Sequence, residues 1–483
     1  MRMRFSDPEH QAARVAGIVL ALAAAYSVLS FGGVDEVFFA GTQITIALLG
    51  LVLFWKFGLP SLSLTTKCIL GIISVFPLVQ MLPMPSALLR TLSPQRVRLA
   101  ESLKVLDLVP NELISLTIYQ HGTTSAFLRL VCYLLVFLIA IRIYNLGEGY
   151  STLAKLLIGL GIFEASYGIV QYLTGWQYIF FYQKKTHELL ATGTYINRNH
   201  YAGLLEMTLP FLLAGILFET RSGASNRLSS WRRIIVSPHL SRGLRNGVFF
   251  VLIFIGLIFS LSRGGITAAL AGVLVTVAIA AFQGKRSVTG ILLTILTIAV
   301  LYTTWIGVGP VYERFRVLGN QNFLEQDRLP IWRDTLALIS DFPITGTGLG
   351  SYEWASLHYQ SQMLGLRYAH AHNDYLEIAG DVGIPLAALF WGSLLVLFVN
   401  LVRSVGRLPH ARDNILATGC AGAMVSIFVH SLTDFNLQIP ANALIFAWIA
   451  GTAVALIQQR LPKASSVEVS VPIKQHSVKL DLD

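Results

Sequence analysis

Residues 246–282 read NGVFFVLIFIGLIFSLSRGGITAALAGVLVTVAIAAF, a stretch whose single charged side chain is Arg263. A helix rises about 1.5 Å per residue, so a hydrocarbon core of about 30 Å takes roughly 20 residues. The stretch is long enough to cross a bilayer twice, with Ser260-Leu261-Ser262-Arg263-Gly264-Gly265 as the place to turn. The rest of the chain repeats the pattern. Of 483 residues, 54% are hydrophobic and 13% charged, and mean hydropathy is +0.62. A soluble domain carries about 25% charged residues, and a fold of this size cannot build a polar shell from half of that. Composition thus excludes a soluble enzyme, a disordered chain and a disulfide scaffold.

The expected fold is an all-α polytopic membrane protein of about 12 transmembrane helices. The spans are 13–32, 37–56, 67–83, 124–144, 152–175, 200–219, 246–262, 264–282, 288–308, 379–402, 413–433 and 438–458. They form one membrane unit over 1–458, with a long loop at 309–378 between spans nine and ten and a tail at 459–483. The apolar run Val15–Phe31 is too long for a signal peptide and lacks a clear small-residue cleavage site, so it reads as the first span. Cys68, Cys132 and Cys420 lie in apolar blocks without metal spacing and read as packing residues.

The net charge of +10 reports topology before it reports nucleic acid. With the N-terminus inside, 22 of the 36 Lys and Arg residues fall on the inner side, including the run Arg221–Arg245. Most of the remainder lie in three long loops, where the rule is weak. Both termini are then cytoplasmic.

Polar groups at costly places carry the function of a membrane protein, and four clusters fall on the outer side of this topology. The first is Gly193-Thr194-Tyr195-Ile196-Asn197-Arg198-Asn199-His200, readable as a helix entrance capped by Asn199 or as something more. The second is Ser260–Gly265, where glycines serve unusual turn angles or let backbone N–H groups and Arg263 approach an anion. The third, in the long loop, holds Arg314, Arg316, Arg328 and Arg333, then Gly346-Thr347-Gly348-Leu349-Gly350 and His370-Ala371-His372-Asn373-Asp374-Tyr375. Its glycine spacing is not that of a dinucleotide fingerprint and reads as a flexible turn closing a helix that begins near Ile331. His370 and His372 cannot share a helix face, and nothing completes a metal site, so no metal or other cofactor is expected. A proton-accepting or a structural histidine are the readings left. The fourth, His430-Ser431-Leu432-Thr433-Asp434-Phe435-Asn436, offers either a carboxylate that orients a base or a polar helix end.

Clustered guanidiniums suit a diphosphate, and a histidine suits deprotonation of a hydroxyl nucleophile. A lipid diphosphate bearing a sugar would keep its tail in the bilayer and its phosphates at this surface. Attack of a hydroxyl on the anomeric carbon would then expel the lipid diphosphate.

The order NRNHYAG, SLSRGG, RLPIWRD with DFPITGTGLGSY, HAHNDYLEIAGDVGIPLA and HSLTDFNLQIPANALIFAW resembles the bacterial O-antigen ligase/polymerase superfamily over about residues 190–455. The resemblance implies a GT-C type architecture and a metal-independent, inverting glycosyltransferase of the bacterial inner membrane. Its substrate would be a glycan on undecaprenyl diphosphate, transferred on the periplasmic face. The family's essential histidine falls on His372, with His370 a weaker candidate, and its diphosphate-binding arginines fall on Arg263 and Arg328. Asn199, His200, Asp374 and Asp434 match supporting positions. A ligase uses lipid A-core as acceptor; a polymerase of O-antigen or exopolysaccharide uses a second lipid-linked glycan. The ligase reading leads by family prevalence, and no nucleic acid partner is expected. A lipid-linked glycan transporter is the reading from another class, disfavoured because the ionisable residues cluster at outer span ends rather than at mid-membrane. Arg129, about one turn inside the fourth span, is the exception and is expected to face the same cavity.

Overall fold

The structure is a computed structural model, and it describes residues 8–104, 113–219, 238–283, 328–361 and 368–460. The chain is an all-α polytopic membrane protein. Ten helices among the described residues are long and apolar enough to span a bilayer. In chain order the long helices are α1 (Pro8–Leu29), α2 (Glu36–Phe57) and α3 (Leu64–Met81). Two short extramembrane helices, α4 (Ser86–Leu92) and α5 (Pro94–Lys104), precede α6 (Gln120–Ile143), α7 (Gly149–Thr174) and α8 (Arg198–Glu219). Then come α9 (Pro238–Phe259), α10 (Arg263–Phe282), the loop helix α11 (Arg328–Asp341), α12 (Asp374–Ser404), α13 (Ala411–His430) and α14 (Pro440–Arg460).

Eleven of the twelve expected spans are present as helices, and the ninth, 288–308, lies outside the described residues. The eleventh, α13, is not among the ten apolar spans; it carries the polar residues Asp413, Asn414, Thr418, Ser426 and His430, all of them buried. Protein rather than lipid surrounds these groups, so the helix tolerates them.

Burial orders the bundle. In α8, 94% of the membrane-spanning window is buried, against 11% in the peripheral α3. α7, α9, α10 and α13 pack around α8. The seam between α10 and α13 is closed by Gly272 and Gly422, where an added Cβ at Gly272 would stand 2.7 Å from the Gly422 carbonyl. Close backbone approach at small residues supplies the dispersion contact that drives helix association where lipid cancels the hydrophobic effect. Cys132 and Cys420 are buried packing residues, whereas Cys68 is exposed on α3.

At one end the helices start on side-chain caps that satisfy orphan N–H groups. Ser262 accepts from the Gly265 N–H at 3.2 Å at the head of α10. Asn373 accepts from the N–H groups of Tyr375 (3.0 Å) and Leu376 (3.1 Å) at the head of α12. A two-stranded ribbon, β1 (Pro83–Pro85) with β2 (Leu113–Ser115), lies at the same end.

The Gly346–Gly350 segment does close α11, but it is pinned rather than flexible. Gly346, Gly348 and Gly350 take φ values of 63°, 113° and 71°, a region L side chains avoid. The Gly350 N–H donates to Asp381 Oδ2 at 2.7 Å, the Thr347 N–H to the Gly380 carbonyl at 2.9 Å and the Ile118 N–H to the Thr347 carbonyl at 2.8 Å. Gln80 of α3 donates to the Thr345 carbonyl at 2.8 Å and accepts from the Leu349 N–H at 3.0 Å. The segment thus ties α3, α6 and α12 together beneath the long loop.

Candidate active site

The four polar clusters converge at one end of the bundle. Asp434 follows α13, and its buried carboxylate faces an imidazole and a guanidinium. His372 Nδ1 lies 3.4 Å from Oδ1, and an Arg328 guanidinium nitrogen lies 3.6 Å from Oδ2. The Phe435 N–H also donates to Oδ1, at 2.9 Å. Burial alone would raise the carboxyl; the hydrogen bond from His372 and the nearby His200 and Arg328 instead hold it far below the usual carboxylate range. Asp434 is therefore ionised and acceptor-only, which makes Nδ1 of His372 the donor and leaves Nε2 with a free lone pair when the ring is neutral.

His372 sits at φ 52°, a left-handed backbone unusual for a side chain of this size. Its loop is held from both sides. The Trp332 indole of α11 donates to the Ala371 carbonyl at 3.1 Å, and the Ala371 N–H donates to Glu377 Oε2 at 2.8 Å. The other Glu377 oxygen lies 2.7 Å from His370 Nδ1. Burial disfavours the imidazolium of His370, but the Glu377 carboxylate outweighs it and the net pKa is raised. The two histidines therefore differ: one pairs with Glu377 and is held toward the charged form, the other pairs with Asp434.

The Phe435 ring gathers three imidazoles. His370 stacks on it at 4.0 Å and 15°, while His200 and His372 meet it edge-on at 4.8 and 4.9 Å. Asp374 accepts from the Ser431 hydroxyl at 2.7 Å and the Leu437 N–H at 3.2 Å, tying the start of α12 to the same turn. Asn197, not Asn199, accepts from an N–H at the entrance of α8, that of Asn199 at 2.8 Å. The Asn199 side chain is thereby left to accept from the Ser262 hydroxyl at 2.8 Å, joining the first cluster to the second. The glycines of the second cluster do not carry the unusual turn angle; Leu261 does, at φ 52°. Gly264 and Gly265 instead permit close approach, since a Cβ on Gly264 would lie 2.7 Å from the Thr433 hydroxyl and one on Gly265 2.5 Å from Ala202. Arg263, half-buried at the first position of α10, makes no hydrogen bond or ion pair with another described residue.

Residues 248–391 match the O-antigen ligase family. The resemblance in the motifs is thus supported. The O-antigen ligase match runs from α9 into α12 and takes in Arg263, Arg328, His370, His372 and Asp374, leaving Asn199, His200 and Asp434 outside it. No curated protein matches the chain. Arg314 and Arg316 lie outside the described residues.

Several partners in this site were not singled out from sequence. Glu206, in the middle of α8, lies 2.8 Å from His430 Nδ1, so His430 pairs with α8 and the carboxylate four residues on serves His372 instead. Glu164 of α7 accepts from the Thr194 N–H and hydroxyl at 2.8 and 2.7 Å, fixing the strand of chain that leads to Asn199. A carboxylate inside an apolar span is costly, and that signal marks both residues. Arg129 does not join the cluster; it lines a separate cavity between α2 and α6.

Proposed function

We propose that this protein is an inverting glycosyltransferase that moves a glycan from undecaprenyl diphosphate to an acceptor hydroxyl, most simply that of lipid A-core, on the periplasmic face of a bacterial inner membrane. The reading rests on one observation: a buried Asp434 carboxylate set between His372 and Arg328. In the proposed orientation both termini are cytoplasmic, residues 1–458 form one membrane unit, and 309–378 is its catalytic loop.

Nε2 of His372 takes the proton of the acceptor hydroxyl as the oxygen attacks the anomeric carbon. The bond between that carbon and the diphosphate oxygen breaks on the opposite face, which inverts the configuration. Undecaprenyl diphosphate leaves with the electron pair, and Arg263 and Arg328 meet its charge. Asp434 holds the imidazole with Nε2 outward and stabilises the imidazolium that forms. His370, already held toward its charged form by Glu377, is the poorer base and serves as a fixed positive charge. Asn199, His200 and Asp374 position this assembly. Guanidiniums and one base supply all the charge compensation the scheme uses.

The test is the lipid-linked glycan pool in the source organism carrying His372→Ala. Long polymer accumulating on the carrier supports the ligase reading. Single repeat units would assign the protein to polymerisation of O-antigen or exopolysaccharide, and an unchanged pool would overturn the enzyme reading in favour of a transporter.

A further inference from the structure

Arg129 stands apart from the cluster described above. It lies nine residues into α6, about 13 Å along the axis from Gln120. The spanning helix here runs Gln120–Gly147, 28 residues or about 42 Å, which exceeds a hydrocarbon core of about 30 Å by roughly 6 Å at each end. The Arg129 backbone is therefore about 7 Å below the edge of the hydrocarbon. A guanidinium there needs a counter-charge, yet Arg129 makes no hydrogen bond or ion pair with any described residue.

The side chain lines a cavity of about 260 Å³ between the outer ends of α2 and α6. Gln43 is a second polar wall, and Val34, Phe39 and Leu128 are apolar. Val34 and Leu128 are exposed, so the cavity opens to the surface of the bundle, and its lining takes in none of the residues around Asp434. At its mouth stands Glu36, the first residue of α2, held there by a hydrogen bond from the Ser125 hydroxyl of α6. The cavity thus presents a carboxylate bonded at Ser125 and a guanidinium whose backbone lies one turn deeper in α6.

We infer that this groove binds a zwitterionic phospholipid with an ammonium headgroup, phosphatidylethanolamine, in the outer leaflet. In such a lipid the phosphate lies next to the glycerol and the ammonium one short linker nearer water. Arg129, reaching upward from its apolar stem, takes the phosphate with Gln43, and Glu36 takes the ammonium. An anionic lipid meets Glu36 with like charge and is disfavoured. The site is independent of the catalytic reading, since none of its residues belongs to the cluster around Asp434.

The experiment is native mass spectrometry of the full chain in detergent, offered equal amounts of phosphatidylethanolamine, phosphatidylglycerol and undecaprenyl phosphate. The intact protein is expected to retain phosphatidylethanolamine at least fivefold over either competitor. Glu36→Gln should bring phosphatidylglycerol to near parity, and Arg129→Ala should reduce all three to background, with Arg129→Lys intermediate. Equal retention of phosphatidylglycerol by the intact protein, or unchanged selectivity in Glu36→Gln, would overturn the inference even if Arg129→Ala does not fold. Preferred retention of undecaprenyl phosphate would overturn it too and assign the groove to the carrier.

Discussion

Replacing Asp434 with asparagine separates charge from shape at the centre of the site. Two unit charges 3.4 Å apart interact by about 5 kcal/mol at an effective dielectric of about 20, and that is the most the carboxylate can contribute to an imidazolium forming on His372. The His372 side chain is 33% exposed, so solvent screening leaves about 2–3 kcal/mol. At about 1.4 kcal/mol per decade, the transfer rate should fall about 100-fold. The amide adds a second penalty. Its N–H can donate to Nδ1, which puts the proton on Nε2, the atom that must be free, and a wrong tautomer of this kind costs up to about 10⁴-fold in serine proteases. The assay is single-turnover transfer in proteoliposomes from a synthetic lipid-diphosphate glycan, with size-exclusion behaviour as the folding check. A folded Asp434→Asn protein working within threefold of the parent would refute the role of the carboxylate.

Arg263→Lys keeps the charge and removes the planar fork; a loss of about tenfold or more in the same assay is expected, and near-normal transfer would reduce Arg263 to the start of α10. His370 has a raised pKa through Glu377, so the ion pair stabilises the fold fully below about pH 6.5, the unfolded value, and the contribution is lost as pH rises through the folded value. The melting temperature of the parent should therefore exceed that of Glu377→Gln most at acid pH, with the gap narrowing as pH rises; a gap independent of pH would sink this account. Gly346→Ala places a Cβ 2.3 Å from the Asp381 carbonyl oxygen at φ 63°. Strain and overpacking together should cost about 3 kcal/mol, read as a lowered melting temperature, and an unchanged one would show that the 345–351 segment is looser than its hydrogen bonds imply.

Hydropathy alone located eleven helices, because in lipid each span must be long, apolar and internally hydrogen-bonded, but it missed up to eight residues at their ends, as where α9 begins at Pro238 rather than at 246. The convergence of four polar clusters followed from the same topology, since Asn199, Arg263, Arg328, His372 and Asp434 all sit beside helix ends at one end of the bundle. Pairing was not legible. His430 and Asp434 are four residues apart and invite being joined, yet His430 pairs with Glu206 of α8, and Asp434, in the turn after α13, faces His372, 62 residues away in sequence. Glu377 lies in the first turn of α12, and only the fold of the preceding loop brings His370 back over it. The glycine run gave its position but not its rigidity, which depends on Gln80 and Asp381 from distant helices.

The burial of α8 also bears on how the molecule is made. Glu206 leaves the ribosome 224 residues before His430, its partner, and α9, α10 and α13, which enclose it, are all synthesised after it. Until α13 arrives, the sixth span is an apolar helix with an uncompensated carboxylate at its middle. It sits among lipids at a greater cost than its neighbours while the C-terminal half is translated. The centre of the bundle is thus the last part to be finished. A chain interrupted within that interval offers an unpaired acid to the bilayer, a defect that membrane proteases can detect.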